Sequence, residues 1–272
     1  MPFADIPGAR LYYETHGHGE PLLLHPGFGA TVEVYWANIP ALAERFRVIV
    51  FDPRGAGRTD AEPLTAPTMA DFARDAAALL DALGIEAAHA LGTSFGGMVV
   101  QHLALDHPQR VRRLVLGCTT AGGATHILPD AADLARFMAS AEIADPVEAL
   151  RNNYPVNYSD AYAARHDAEL VDRALTNAGL RSTPDGRAQQ IAAIQAHDTS
   201  ARIGEVRHPA FVAHGDDDRV VPAANGRFLA ELLPHATLRR YPGARHIFFV
   251  ERAAEFNIDV ITFLAGEPAT MK

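Results

Sequence analysis

Apolar and polar positions follow two different rhythms along this chain of 272 residues. Short continuous apolar runs recur toward both ends: Pro21 to His25, Arg47 to Phe51, Ala87 to Leu91, Val111 to Leu116 and Pro209 to His214. Runs of this length, bounded by turn residues, predict strands buried on both faces, as in a parallel sheet. Between them, apolar residues return every three or four positions. That spacing predicts helices over 34–45, 68–83, 98–105, 223–233 and 250–265. Thr68 is placed to cap the second of these, with Asp71 at the capping-box position. A further strand is expected at 236–241, and residues 2–15 alternate about Pro7-Gly8 like an opening hairpin. Strands alternating with helices at these lengths define an α/β class, a mostly parallel twisted sheet with helices on both faces. Right-handed crossovers then align the carboxyl ends of the strands along one edge, where open α/β sheets bind ligands.

The rhythm changes between about residues 120 and 205. Helical patterns run over Asp130–Glu142, Pro146–Asn152, Ser159–Gly179 and Thr183–His197, punctuated by Pro129, Pro146, Pro155 and Pro184, with no convincing buried strand. The stretch is too long to be a loop inside a compact domain. It is expected to be a helical insertion leaving the carboxyl end of a strand and covering the ligand edge. The expected division is therefore a core of residues 1–120 and 205–272 with a helical cap at 121–204.

Charge and composition narrow the partners. A net charge of −9, from 24 basic and 33 acidic residues, argues against a nucleic-acid surface. The single cysteine, Cys118, excludes an intrachain disulfide and a cysteine-based zinc site, and its setting after an apolar strand suggests a buried, inert thiol. No apolar run approaches the length of a membrane span. The opening Met-Pro-Phe-Ala-Asp carries no basic-then-apolar leader, so a cytoplasmic protein is expected, with no membrane partner. No metal or organic cofactor is implied, and nothing in the pattern sets an oligomeric state.

Candidate chemistry begins at Gly92-Thr93-Ser94-Phe95-Gly96, where a serine sits between a predicted strand and a predicted helix. G-x-S-x-G at such a junction is the pattern of a nucleophile elbow. It also describes a plain glycine-rich turn, so the reading depends on partners. A serine hydroxyl needs a base, the base needs an acid, and the oxyanion formed on attack needs backbone donors. The acid and base candidates follow in that order, each directly after a strand: Asp216-Asp217-Asp218, then His246. Adjacent side chains leave the chain in different directions, so one aspartate is expected to face the site while the others cap a solvated turn. For the oxyanion, the Phe95 N–H lies at a helix start, and Gly27-Phe28-Gly29 follows the first buried strand, where Pro26 has no N–H to offer.

In order and together, these stretches resemble the α/β-hydrolase superfamily, serine-nucleophile branch, over nearly the whole chain. His25-Pro26-Gly27-Phe28-Gly29 is similar to the family's oxyanion loop, and 51–60 (FDPRGAGRTD) to its D-x-R-G-x-G-x-S segment. Residues 92–98 look like the elbow, 107–116 like the following helix end and strand, 214–222 (HGDDDRVVP) like the acid loop, and 243–246 (GARH) like the histidine loop. The resemblance implies Ser94 as nucleophile, His246 as base, Asp218 as acid, and the Phe28 and Phe95 N–H groups as oxyanion donors. Pro26 interrupts the usual His-Gly pair, which leaves Gly27 open beside Phe28 as the loop's donor; Thr93 and Thr59 replace the common His and Ser. A serine in place of aspartate argues against epoxide opening and halide displacement. The finer likeness is to carboxylesterases, enol-lactone hydrolases and cofactor-free haloperoxidase-like esterases. It implies cleavage of a small carboxylic ester or lactone through an acyl-enzyme. A ligand-binding, receptor-like protein on the same scaffold is one alternative. Acyl-transfer, perhydrolase or C–C hydrolase chemistry at the same site is the other. Phe137, Met138, Tyr154, Tyr158 and Tyr162 are candidate substrate contacts, with packing of cap on core as the competing use of each.

Overall fold

Residues 2–266 of the computed structural model are described. The chain opens with strands β1 (Phe3–Ile6), β2 (Ala9–His16) and β3 (Glu20–His25), helix α1 (Ile39–Ala43), then β4 (Phe46–Phe51) and a short β5 (Asp60–Ala61). It continues through α2 (Met69–Ala82), β6 (Ala88–Thr93), α3 (Phe95–Asp106) and β7 (Val111–Gly117). Four helices follow, α4 (Ala131–Ala139), α5 (Pro146–Asn157), α6 (Asp160–Thr176) and α7 (Pro184–Gln195). The closing run is β8 (Ala210–Gly215), α8 (Ala224–Leu232), β9 (Ala236–Tyr241), α9 (Phe248–Glu251) and α10 (Ala253–Leu264).

Among the described residues the strands form one sheet, β1-β2-β4-β3-β6-β7-β8-β9, with β5 on β2. β2 runs antiparallel to β1 and β4, and every pairing from β4 to β9 is parallel. The continuous apolar runs are explained by burial on both faces. Leu23, Ile49 and Ala90 enter one core with Phe72, Leu80 and Val99 of α2 and α3. Their neighbours Leu22, Leu24, Val48, Val50 and Leu91 enter the other, with Leu42, Phe248 and Val260. Alternation thus persists within each run, but it selects between two apolar faces rather than between core and water.

Three helices differ from the pattern. The expected helix at 34–45 is a 3₁₀ turn at Val32–Tyr35 followed by the short α1. Between them, Asn38 Nδ2 donates to the Phe249 carbonyl at 2.7 Å and to Asn257 Oδ1 at 2.8 Å, and Pro40 supplies the helix start. The last helix is two pieces, broken at Arg252 with φ −117° and ψ 35°. α5 runs on through Pro155 to Asn157; a proline there removes one bond to the Arg151 carbonyl without ending the helix. Thr68 caps α2 as expected, its N–H and hydroxyl donating to Asp71 Oδ2 at 2.8 and 2.7 Å.

No strand of the sheet falls between β7 and β8 among the described residues. This helical segment leaves and returns at one place, because Gly122 and Asp198 form an isolated bridge and the Thr199 N–H donates to the Ala121 carbonyl at 2.8 Å. On the other side of the sheet edge, the loop after β4 is held to α2 by a buried ion pair. Arg54 donates from Nε and Nη2 to Asp75 at 2.9 Å each and from Nη1 to the Gly8 and Glu62 carbonyls. Both residues are buried. Asp75→Ala leaves a buried guanidinium without its partner and is expected to cost about 3–5 kcal/mol in urea unfolding. The double variant Arg54→Met, Asp75→Leu should recover most of that loss. Equal stability of the single variant and the parent would refute the assignment.

Candidate active site

The parallel strands β3, β6, β7, β8 and β9 all end on one edge, and each candidate group sits just beyond such an end. Ser94 occupies the single residue between β6 and α3, with φ 54° and ψ −120°. A side chain in that region is strained, and it persists only where the surroundings over-determine it. The surroundings here are backbone. A Cβ on Gly92 would lie 2.2 Å from the Gly96 carbonyl oxygen, and one on Gly96 would lie 2.1 Å from that of His25. Strand, helix start and the loop after β3 therefore meet where no Cβ fits. The Ser94 N–H donates to the Gly117 carbonyl at 2.8 Å, and its carbonyl accepts from Thr119 Oγ1 at 2.9 Å. Tyr35, fully buried, donates its hydroxyl to the His25 carbonyl at 2.8 Å and lies 3.0 Å from Thr93 Oγ1. It joins the β3 loop to the residue preceding the serine.

The three aspartates after β8 separate as adjacent side chains must. Asp216 pairs with Arg240 and Asp217 with Arg219 and Arg245. Asp218 turns inward. Its Oδ1 accepts the Val220 and Val221 N–H groups at 2.9 Å each, and His246 Nδ1 donates to both carboxylate oxygens at 3.0 and 2.9 Å. His214 Nε2, fully buried, lies 3.2 Å from Oδ2 and also donates to the Val221 carbonyl. Burial by itself would raise the Asp218 carboxyl. The charge and hydrogen bonds of His246 and His214 outweigh it and hold the group well below the ordinary carboxylate range. The carboxylate stays ionised, and an ionised acceptor fixes His246 with its Nδ1 protonated and Nε2 free.

Ser94 and His246 line one cavity of about 380 Å³. Gly27 and Phe28 form its wall on the β3 side, and residues of α4, α5, α6 and α7 roof it. A Cβ on Gly27 would stand 3.5 Å from that of Ser94, so this loop lies against the serine. The Gly29 N–H is taken by Gln190 Oε1 at 2.8 Å, which leaves the Gly27 and Phe28 N–H groups as the loop's candidate donors. Phe95 opens α3 with its N–H at the positive end of the helix dipole, while its ring is buried 5.0 Å from that of Phe72. Of the aromatic and sulfur candidates in the helical segment, Phe137 lines the cavity, its ring 6.2 Å from both His246 and Phe28. Tyr158 lines an adjoining space of about 370 Å³ and Tyr162 a third. Met138 and Tyr154 border none of these; the Tyr154 hydroxyl donates to Asp167 at 2.9 Å.

Among the described residues one group gathers donors closely enough to hold a metal ion: Cys118, Asp218 and His246, within 4.8 Å of one another. Burial, aided by the Asp218 charge, pushes the Cys118 thiol well above its ordinary range, so it stays protonated and is a weak ligand. Three supporting residues carry no sequence signal. Tyr35 and Gln190 act across long gaps in sequence. Arg245, buried, donates to the Tyr158 carbonyl at 2.7 Å and to Asp160 at 2.9 Å. Its position beside His246 is visible in the sequence, but its partners are not.

Residues 20–253 match the family model described as alpha/beta hydrolase fold. This chain is a member of that family. It is 36% identical to a putative carbamate hydrolase RutD of Caulobacter sp. (strain K31), over 95% of this chain and 97% of the relative. Among solved structures it resembles a hydrolase from Pseudomonas aeruginosa PA01, with a TM-score of 0.82, 32% identity, and coverage of 96% and 97% of the two chains. It also resembles the enol-lactonase from Burkholderia xenovorans LB400, with a TM-score of 0.84, 26% identity, and coverage of 97% and 100%.

In this alpha/beta hydrolase the elbow's backbone contact makes a direct prediction. Gly96→Ala drives a methyl group into the His25 and Pro26 carbonyls. It should cost roughly 2–3 kcal/mol in denaturant unfolding. Gly179→Ala, where a Cβ meets nothing within 4 Å, should change stability by less than about 1 kcal/mol. Equal effects would contradict the packing account.

Proposed function

We propose that this protein is a serine hydrolase that cleaves a small carboxylic ester or lactone through an acyl-enzyme on Ser94. The single observation that carries the reading is a buried Asp218–His246 pair whose histidine lines the same cavity as a serine held at positive φ. In this reading His246 Nε2 takes the Ser94 proton as Oγ attacks the carbonyl. Asp218 holds the imidazole in the tautomer that leaves Nε2 free, and it stabilises the cation that forms. The negative oxygen settles against the Phe95 N–H and one N–H of Gly27-Phe28. Water, activated by the same histidine, then releases the acid, and the helices between β7 and β8 act as the cap.

Carbamate hydrolysis is the second reading, favoured by the several relatives named putative carbamate hydrolase RutD. It uses the same attack and the same oxyanion donors, and it differs only in what the carbonyl carries. Comparison of ester, lactone and carbamate panels by kcat/KM separates the two.

Ser94→Ala should abolish turnover of every substrate in the panel. Asp218→Asn should cost on the order of 10⁴ in kcat, because the imidazole then favours the wrong tautomer. Asp216→Asn, at a pair with a half-exposed arginine, should change kcat only a few-fold at most. Unimpaired turnover by Ser94→Ala would sink the proposal.

The pH profile gives a second check. The folded-state carboxyl of Asp218 lies below its unfolded value, so the stability it contributes is present above about pH 4. That stability is lost only as pH falls through the depressed folded value. Asp218 is therefore ionised throughout the acid limb of activity, and log kcat/KM should fall there with a slope of one, for a single proton on the base. A slope of two would place a second titrating group in the mechanism.

A further inference from the structure

The wall of the catalytic cavity carries two carboxamides that the fold does not use. Asn153 and Asn157 lie four residues apart on α5, hence on one face of the helix, and both line the cavity. The side-chain oxygen of each is buried with no hydrogen-bond partner within the protein. Their neighbour Asn152 shows what a structural asparagine does here. It donates to the Arg136 carbonyl and to Ser140 Oγ, at 3.0 Å each, tying α5 to α4. Asn153 lies inside the helix, where asparagine is a poor residue, and at both positions a buried unpaired carbonyl is costly. Leucine would suit both the helix and an apolar wall better. Two carboxamides without a partner on one face of one cavity are the mark of a wall shaped for a polar ligand.

The main chain fixes how far those carboxamides are from the chemistry. The Asn157 carbonyl accepts the Ile247 N–H at 3.0 Å, and that of Val156 accepts the His246 N–H at 3.4 Å. The end of α5 is thereby held against the histidine loop, which allows only a short spacer between reacting carbonyl and recognised group. The cavity's two arginines are already engaged. Arg181 donates to the Ile143 and Ser140 carbonyls, and Arg187 to the Ser182 carbonyl and Glu142.

We infer that Asn153 and Asn157 are specificity-determining residues that select compact substrates bearing a neutral polar group, such as an amide, carbamate or hydroxyl group, close to the scissile carbonyl. This rests on the reaction proposed for Ser94. A site built around unpaired polar groups discriminates strongly against an analogue that leaves them unpaired.

Two isosteric pairs of esters test it by acid release in a pH-stat. One pair varies the acyl side, methyl succinamate against methyl 4-methylpentanoate. The other varies the alcohol side, 2-amino-2-oxoethyl acetate against isobutyl acetate. The native enzyme is expected to favour the amide member of at least one pair by about tenfold or more in kcat/KM. Asn153→Leu and Asn157→Leu should each erase that preference by lowering kcat/KM for the amide member about tenfold more than for the alkyl member, with thermal unfolding of each variant reporting that it folds. Turnover without preference in either pair, preference that survives both substitutions, or equal loss of both members overturns the inference alone. Absence of turnover of all four esters by the native enzyme overturns the ester reading and this inference with it.

Discussion

The carbonyl oxygens of His25 and Pro26 lie so close to Gly96 that a single methyl group there would overlap them. From this contact the rest of the site follows. The turn from β6 into α3 tightens until Gly92 touches the Gly96 carbonyl, and the residue between them is left at a positive φ with its side chain free of both elements. The same contact places Gly27 against Ser94, so a loop with two candidate N–H donors, Gly27 and Phe28, stands beside the serine. Tyr35 closes the arrangement by bonding the end of β3 and reaching the Thr93 hydroxyl. The strain at Ser94 is a consequence of how three backbone segments pack, and the sheet core beneath them supplies the energy that maintains it.

A second constraint couples the roof of the cavity to its base. The histidine loop is bonded to the helical segment by main chain at Val156 and Asn157 and by Arg245 at Tyr158 and Asp160. Asp218 is fixed from below by Val220, Val221 and His214. The imidazole is thus held between a carboxylate fixed on both oxygens and a helix end that borders the same cavity.

The core was legible in the sequence because a strand buried on both faces leaves a continuous apolar run, and turn residues mark its ends. The elbow and acid loops were legible because each falls just after such a run, and the histidine loop because it follows the strand expected at 236–241. The limits were where tertiary contact overrides local pattern. Asn38 interrupts an apparently continuous helix by bonding to residues more than 200 positions away, and Pro155 sits within a helix that outlasts it. Residue type was also a poor guide to the cavity wall. Phe137 reaches it, while Tyr154, one turn from Tyr158, turns to Asp167 instead. A helix presents both faces equally in sequence, and only its packing decides which one meets the substrate. The asparagines of α5 carried no signal at all, because polar residues on a helix read as solvated until the cavity beside them is seen.

The central claim is that Ser94 is a hydroxyl activated by His246 and Asp218. A fluorophosphonate probe reports on this directly, since it reacts with an activated serine and not with an ordinary one. Intact-protein and peptide mass spectrometry after probe treatment should find one adduct per chain, on the peptide containing Ser94, and none in Ser94→Ala. The absence of an adduct, or an adduct on a different residue, would contradict the account.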